Sequence, residues 1–384
     1  MDKKKIVIGA DVVPTPSNLP YFESGELAPI FGEELLSFLR DDSFLIVNLE
    51  TPLADAGDPI KKCGPAFRTP TKAVRGLSSL GVGLVSLANN HIGDRGEEGV
   101  LSTMKTLGEA GLSFVGSGKN EKEAAKPFFF SFASKTIGVY SCAEHEFSIA
   151  SEAKAGANAF DPLFSPDQIA EAKQNCDFLI VLYHGGKEYY RYPSPLLRKV
   201  CRRIIDKGAD LVICQHSHCI GCRENYAGHE IIYGQGNFVF NKKSDEFWDS
   251  SLLVTLDETL SVGYYPIERT ETGTRTAEGE KKERILTDFA KRSEEITEEG
   301  FVEKAYADFA AHNFETYLAV LHGKRSRMRS GLNHLLSGMP DRLLHRRRYP
   351  IRQELMLKNY IECEAHRELL LKGLEKDILS GKEK

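Results

Sequence analysis

Apolar positions in the first two-thirds of the chain fall into short β-branched runs separated by stretches of helical spacing. The strand-like runs are Lys5–Ala10, Phe44–Val47, Gly83–Leu87, Phe178–Tyr183 and Leu211–Cys214. Helical segments are predicted between several of them, near 32–40, 71–79, 96–110, 166–175 and 194–207. Strands alternating with helices predict βαβ units and a largely parallel inner sheet. From about residue 223 the rhythm changes to strands without helices, at Arg223–Tyr226, His229–Tyr233, Ser251–Leu256 and Ser261–Pro266. Those predict antiparallel hairpins, with Asp257-Glu258-Thr259 as a turn.

The remainder reads as helical. Phe301, Val302, Ala305, Tyr306 and Phe309 keep a helical period, and Ile361, Leu369, Leu370 and Leu374 suggest a second helix near the end. The segment 269–283 is polar, rich in Thr and Glu, and reads as a linker. The expected organisation is a domain over 1–268 and a helical region over 284–384. Net charge divides along the same line, −7 over residues 1–270 and +2 over 271–384. A basic stretch at 324–348 carries eight Lys and Arg against the single acid Asp341. It reads either as a solvated surface or as a docking patch for a membrane surface or a protein partner.

Composition narrows the class. With 384 residues, 41% hydrophobic and 27% charged, the chain can bury a sizeable core. No run approaches the ~18 apolar residues of a membrane span, so the expected location is cytoplasmic, at most peripheral to a membrane. A net charge of −5 does not fit a general nucleic-acid binder. Eight cysteines in so long a chain do not read as a disulfide scaffold. Cys214, Cys219 and Cys222 have the spacing of an iron–sulfur site, but Cys214 falls inside a predicted buried strand and no fourth ligand is near in sequence. Core or surface thiols are the expected reading, with a redox or metal-clip role for Cys219 and Cys222 as the alternative.

The chemistry gathers where strands end. KIVIGAD ends in Asp11, FLIVNLE in Glu50, GLVSLANNH in Asn90 and His91, FLIVLYH in His184, and DLVICQHSH in His216 and His218. Taken singly, Asp11 fits a turn, Glu50 a surface acid, and Asn89-Asn90 a helix cap. The recurrence after strand upon strand is what predicts one site, because open α/β sheets place sites beyond the carboxyl ends of their strands. A mixed oxygen and imidazole donor set suits divalent ions such as Mn, Fe, Zn or Co. Asp94 lies three residues beyond His91 and could orient it. Arg68 is a candidate anion contact, Glu188 a candidate substrate contact or support for the ligands, and Asn237 a candidate for the cleft floor.

These segments, with IGADVV, NLETPL, SLANNHIGDRGEEGV, GSGKNEKEAAKP, LYHGGKEY, GADLVICQHSHCI and IIYGQGNFVF in that order, resemble the CapA capsule-synthesis family. That family is of the poly-γ-glutamate capsule type, within the calcineurin-like metallophosphoesterase superfamily. The resemblance covers roughly residues 5–266. It implies an α/β fold, a four-layer αββα sandwich, here with a C-terminal helical extension. It implies one or two divalent ions, Mn, Fe or Zn. Asp11 and His218 would hold the first, Asn90, His184 and His216 the second, and Glu50 would bridge them. His91 would stand beside the reacting group without binding metal. Two departures are plain: the superfamily's Asp-x-His is here Asp11-Val12-Val13, and the bridging aspartate is Glu50.

The expected activity is metal-dependent hydrolysis, of phosphoesters in a pathway for capsule or cell-surface polymer, with water as nucleophile and His91 as acid. The substrate would be an anionic small molecule or polymer precursor. Two alternatives stay open: a glutamyl or amide hydrolase or transferase, and a non-catalytic subunit of a polymer-synthesis machine.

Overall fold

The computed structural model describes residues 3–241, 245–321 and 350–379. The basic stretch at 324–348 lies outside the described residues. Two sheets form the centre. The first has strand order β16 (Thr274–Thr276), β15 (Val262–Arg269), β14 (Ser250–Leu256), β1 (Lys5–Val12), β2 (Ser43–Leu49), β3 (Val82–Ser86), β4 (Ser113–Val115). The second runs β11 (Arg223–Tyr226), β12 (His229–Tyr233), β10 (Leu211–Gln215), β9 (Phe178–His184), β7 (Lys135–Ala143), β6 (Phe128–Phe132). Two short pieces, β5 (Ser117–Gly118) and β8 (Gly156–Ala157), pair apart from both, and β13 (Asn237–Val239) adds to β1.

The near-continuous apolar runs follow from burial on both faces. Ile6, Ile8, Ile46 and Leu84 from the first sheet meet Ile137, Val139, Ile180, Leu182 and Ile213 from the second. On its outer face the first sheet packs Val7, Leu45, Val47 and Val85 against helical residues such as Phe31, Leu35, Leu77 and Val100. The second sheet's outer face packs Val181, Val212 and Tyr233 against Ile169, Cys201 and Ile204. The order of layers is therefore helix, sheet, sheet, helix, the αββα sandwich.

Register decides where the polar strand ends arrive. Along one edge β1 pairs in parallel with β2, setting Asp11 opposite Asn48. Along its other edge, β14 runs antiparallel up to Ile8 and β13 then takes over in parallel, setting Asn237 opposite Asp11. In the second sheet Ala143, His184 and Gln215 lie in one row across β7, β9 and β10. The two rows meet through side chains, since Asn48 Nδ2 lies 3.2 Å from His184 Nδ1 and Gln215 Nε2 donates to the Gly9 carbonyl at 3.2 Å.

The stretch read as a linker is partly structured. It contains β16, which pairs β15 antiparallel, and opens the helix Gly279–Glu295. Polar composition misled there because an edge strand with one solvated side needs few apolar residues; Ala277 is nonetheless fully buried. The hairpin Phe128–Ala143 was also not foreseen, although its strands supply an edge and an inner position of the second sheet. The helices Phe301–Leu321, Ile351–Glu362 and Glu364–Leu379 form the C-terminal extension, packed through Tyr190, Tyr306, Tyr317, Tyr360 and Leu369. Among the described residues no helix is long and apolar enough to cross a membrane.

Candidate metal centre

Asp11, the penultimate residue of β1, is fully buried. Its Oδ1 accepts from Asn48 Nδ2 at 2.7 Å, and its Oδ2 lies 3.6 Å from His218 Nδ1. Burial opposes its charge, but His218, His184 and Asn48 outweigh this and hold its carboxyl below the usual range. Glu50 follows β2 and is also fully buried, yet neither carboxylate oxygen has a hydrogen-bond partner. Burial, reinforced by the charge of Asp11, raises its pKa to about 7. A buried carboxylate without a partner is costly unless a proton or a cation meets it.

His184 ends β9. Its Nε2 stands 3.1 Å from Asn90 Oδ1, 3.4 Å from Glu50 Oε1 and 3.2 Å from His216 Nδ1. Burial lowers its pKa to about 4, which keeps the ring neutral and able to donate a lone pair to a metal. His216 and His218 follow β10 in left-handed backbone, at φ 86° and 55°. Residues with side chains hold that conformation only where the surroundings enforce it. Between them Ser217 faces elsewhere, so both imidazoles reach the cluster, with His218 Nδ1 2.9 Å from Asn237 Oδ1. Burial alone would discharge His218, but Asp11, Glu50 and Glu188 raise its pKa to about 9. Gly236 holds the strand end at φ 83°, where a Cβ would press within 2.8 Å of Ser251 Oγ, and so delivers Asn237.

Two groups able to hold a cation result: Glu50 with His184 and His216, and Asp11 with Glu50 and His218, ligand atoms within 4.8 Å of one another in each. Glu50 is common to both. The orphaned Glu50 oxygens and the carboxylate, amide and imidazole donors fit divalent ions. Asn90 joins through its carbonyl oxygen, while its Nδ2 donates to Glu146 Oε2 at 2.7 Å.

His91 sits beside this cluster. Its Nδ1 lies 2.6 Å from Asp94 Oδ2 and 3.1 Å from Lys62 Nζ, and Phe67 covers the ring with centroids 4.2 Å apart. Lys62 forms an ion pair with Asp94, and its side chain is 1% exposed. Burial lowers the His91 pKa, although Asp94 pulls the other way. Val13, two residues after Asp11, joins Phe240 and Trp248 in an apolar wall.

The structure thus brings together Asp11, Glu50, Asn90, His91, Asp94, His184, His216, His218 and Asn237. Glu188 is half-buried; burial opposes its charge, but Lys187, followed by His216 and His218, outweighs this and holds its carboxyl below the ordinary value. Arg68 is not brought in: it is exposed and donates to the Asp55 carbonyl at 3.4 Å. Its neighbour Phe67 enters the site instead. Lys62, Asn48 and Glu146 were not foreseen. Asn48 and Glu146 carried a signal, since each lies at or just past the end of an apolar strand run. Lys62 lies in a loop with no periodicity to announce it. The cysteines 214, 219 and 222 are buried and free, and belong to no metal-competent group among the described residues.

Part of the chain is similar in sequence to known proteins. The chain is 28% identical over 225 residues to the capsule biosynthesis protein CapA of Bacillus anthracis, covering 56% of this chain and 55% of that protein. It is 30% identical over 191 residues to the PGA biosynthesis protein CapA of Bacillus subtilis, covering 49% and 50%. The chain thus spans about half the length of these curated relatives. A solved structure described as a novel phosphatase, from Mycoplasma pneumoniae, superposes with a TM-score of 0.43 at 13% identity, over 70% of this chain and 94% of that one. Residues 6–242, more than half of the chain, match the family described as bacterial capsule synthesis protein PGA_cap, and the chain belongs to that family.

Proposed function

We propose that this chain is a metal-dependent hydrolase of phosphoesters that acts on an anionic precursor of a cell-surface polymer. The observation that carries the reading is the pair of ligand groups sharing the orphaned Glu50, with His91 held beside them. Asp11, Glu50 and His218 would hold one divalent ion, and Glu50, Asn90, His184 and His216 a second. Bound there, such ions supply Lewis-acid charge that polarises a phosphoryl oxygen and lowers the pKa of water.

The chain's own residues do the rest. Asp94 accepts from His91 Nδ1 and fixes the ring, so that Nε2 faces the reacting group. Asp94 stabilises the imidazolium, and in that form His91 gives its Nε2 proton to the leaving oxygen and becomes neutral. After the transfer the imidazole is neutral, Lys62 balances the charge of Asp94, and the ring regains its Nε2 proton from water as product leaves. Phe67, Phe240 and Trp248 keep water from that side.

A panel of phosphomonoesters and phosphodiesters against γ-glutamyl amides, with manganese-loaded protein, tests the reading. Phosphoester turnover that fails in His91→Gln supports it. Turnover of glutamyl amides alone would replace it with the amide reading, and no turnover of either with metal bound would favour a non-catalytic subunit.

A further inference from the structure

We propose that Glu146, Cys363 and His366 form an additional metal site, for a thiophilic divalent cation such as zinc, where the C-terminal helices meet the α/β core. The three offer one oxygen, one sulfur and one imidazole nitrogen within 4.8 Å of one another. None belongs to the strand-end cluster, and Cys363 and His366 lie beyond the residues matched by the family.

The chain is built to bring them together. Glu146 lies in the loop after β7 and is 7% exposed. Cys363 breaks the helical run between Ile351–Glu362 and Glu364–Leu379, with extended backbone and a side chain buried to 2%. His366 sits in the first turn of the next helix. Its Nδ1 is 2.5 Å from the Tyr317 hydroxyl, which leaves Nε2 directed to Glu146 Oε1 at 3.7 Å. An imidazole whose second nitrogen is held by a partner is the usual arrangement of a metal-ligating histidine. Tetrahedral zinc sites need ligand atoms about 3.5 Å apart, so a small contraction closes the triad.

An independent observation is the charge left over. Glu144 and Glu146 are both 7% exposed, and among the described residues neither pairs with a lysine or arginine. Glu144 Oε2 lies 3.8 Å from Cys363 Sγ, next to the position a cation would take. The donors to these two carboxylates besides His366 and Cys363 are neutral, among them Asn359 Nδ2 to Glu146 Oε1 at 3.0 Å and the Tyr183 hydroxyl to Glu144 Oε1 at 3.4 Å, so a cation would supply the full counter-charge. Gly185 permits this crowding, since a Cβ there would come within 2.6 Å of the Glu144 carboxyl. Because Glu146 Oε2 also accepts from Asn90, the ion would clamp the C-terminal helices onto a residue that reaches the main centre.

Sulfur separates this site from the main one, whose donors are all oxygen and nitrogen. Metal-free full-length protein titrated with cobalt(II) chloride is expected to show a near-ultraviolet thiolate-to-cobalt charge-transfer band. Cys363→Ser is expected to abolish the band while the weaker visible bands of the main centre remain. His366→Gln retains the thiol and is expected to weaken cobalt binding at this band at least tenfold, which keeps the test decisive should Cys363→Ser fail to fold. A band that is absent from wild type, persists undiminished in folded Cys363→Ser, or titrates identically in His366→Gln overturns the proposal. Loss of the main centre's visible bands with the sulfur band intact would count against the dinuclear reading alone.

Discussion

The strand-end rim and the C-terminal helices both reach the space around Asn90, and they do so by opposite means. The rim gathers its side chains from segments more than 200 positions apart, Asp11 to His218, and sets them in paired backbone rows or in the loops just beyond them. The helices gather theirs from packing of aromatic side chains, Tyr190 on Phe309 at 4.3 Å and Tyr317 on Tyr360 at 4.2 Å. A hydrogen-bonded row leaves a side chain little choice of position, whereas an aromatic face tolerates sliding. The rim is therefore suited to hold reacting groups, and the helices to cover and support them. Polar contacts cross the seam beside that aromatic packing: His145 pairs with Glu364 at 2.7 Å, and Asn359 Nδ2 donates to Glu146 Oε1 at 3.0 Å.

The comparison breaks most sharply at Glu50, which both ligand groups share. Glu50→Gln is expected to lose both ions and all turnover, measured by metal analysis and assay together; retention of either ion would mean that the carboxylate does not bridge. His91→Gln comes next. It should lower kcat about 10²–10⁴-fold with metal content unchanged, and a parallel loss of metal would make His91 a ligand instead. In the helices the effect should appear in stability. Tyr306, fully buried, truncated to Ala should cost about 3–5 kcal/mol, read as a lower Tm, with metal content at the rim unchanged. A collapse of rim metal binding in that variant would erase the division of labour.

The smallest expected effect is at Glu224, which Arg198 and Arg202 grip from the helix Pro195–Asp206. Arg198 Nη2 also donates to the Ile296 carbonyl at 3.0 Å, where the C-terminal region begins its packing. Burial opposes the Glu224 charge, but the two arginines and Tyr233 hold its carboxyl below its ordinary value. Glu224→Gln should cost about 1.5–3 kcal/mol. The sign with pH follows from the depressed value: the wild-type advantage is complete above the unfolded carboxyl pKa and is lost as pH falls through the folded one. Denaturant unfolding at neutral and acid pH checks this, and a gap that widened in acid would contradict it.

Sequence made the rim legible because strand ends announce themselves. A dense apolar run that stops at a ligand-type residue survives any uncertainty about which strands pair. The same runs pointed to βαβ units and a parallel sheet, the resemblance to the CapA family implied the four layers, and the helices near 301 and 361 followed from their period. What stayed hidden depends on contacts between distant segments. Lys62 has no pattern of its own and becomes part of the site only when its loop folds over Asp94. Arg68 looked suitable by chemistry, yet its backbone turns the guanidinium to Asp55 and puts Phe67 on His91. The hairpin Phe128–Ala143 was legible in principle, and with it Glu144 and Glu146. Val13 is a case where sequence posed the question and structure shows the replacement, an aromatic wall of Phe240 and Trp248 in place of an imidazole.

The central claim is that His216 and its neighbours form a centre for divalent ions. Manganese content of the full-length protein tests it most directly, because manganese disfavours thiolate and so reports the oxygen and nitrogen donors of the rim. The account predicts about two equivalents in wild type and at most one in His216→Ala. Wild-type protein that binds no manganese, or His216→Ala that keeps the full wild-type content, would contradict it.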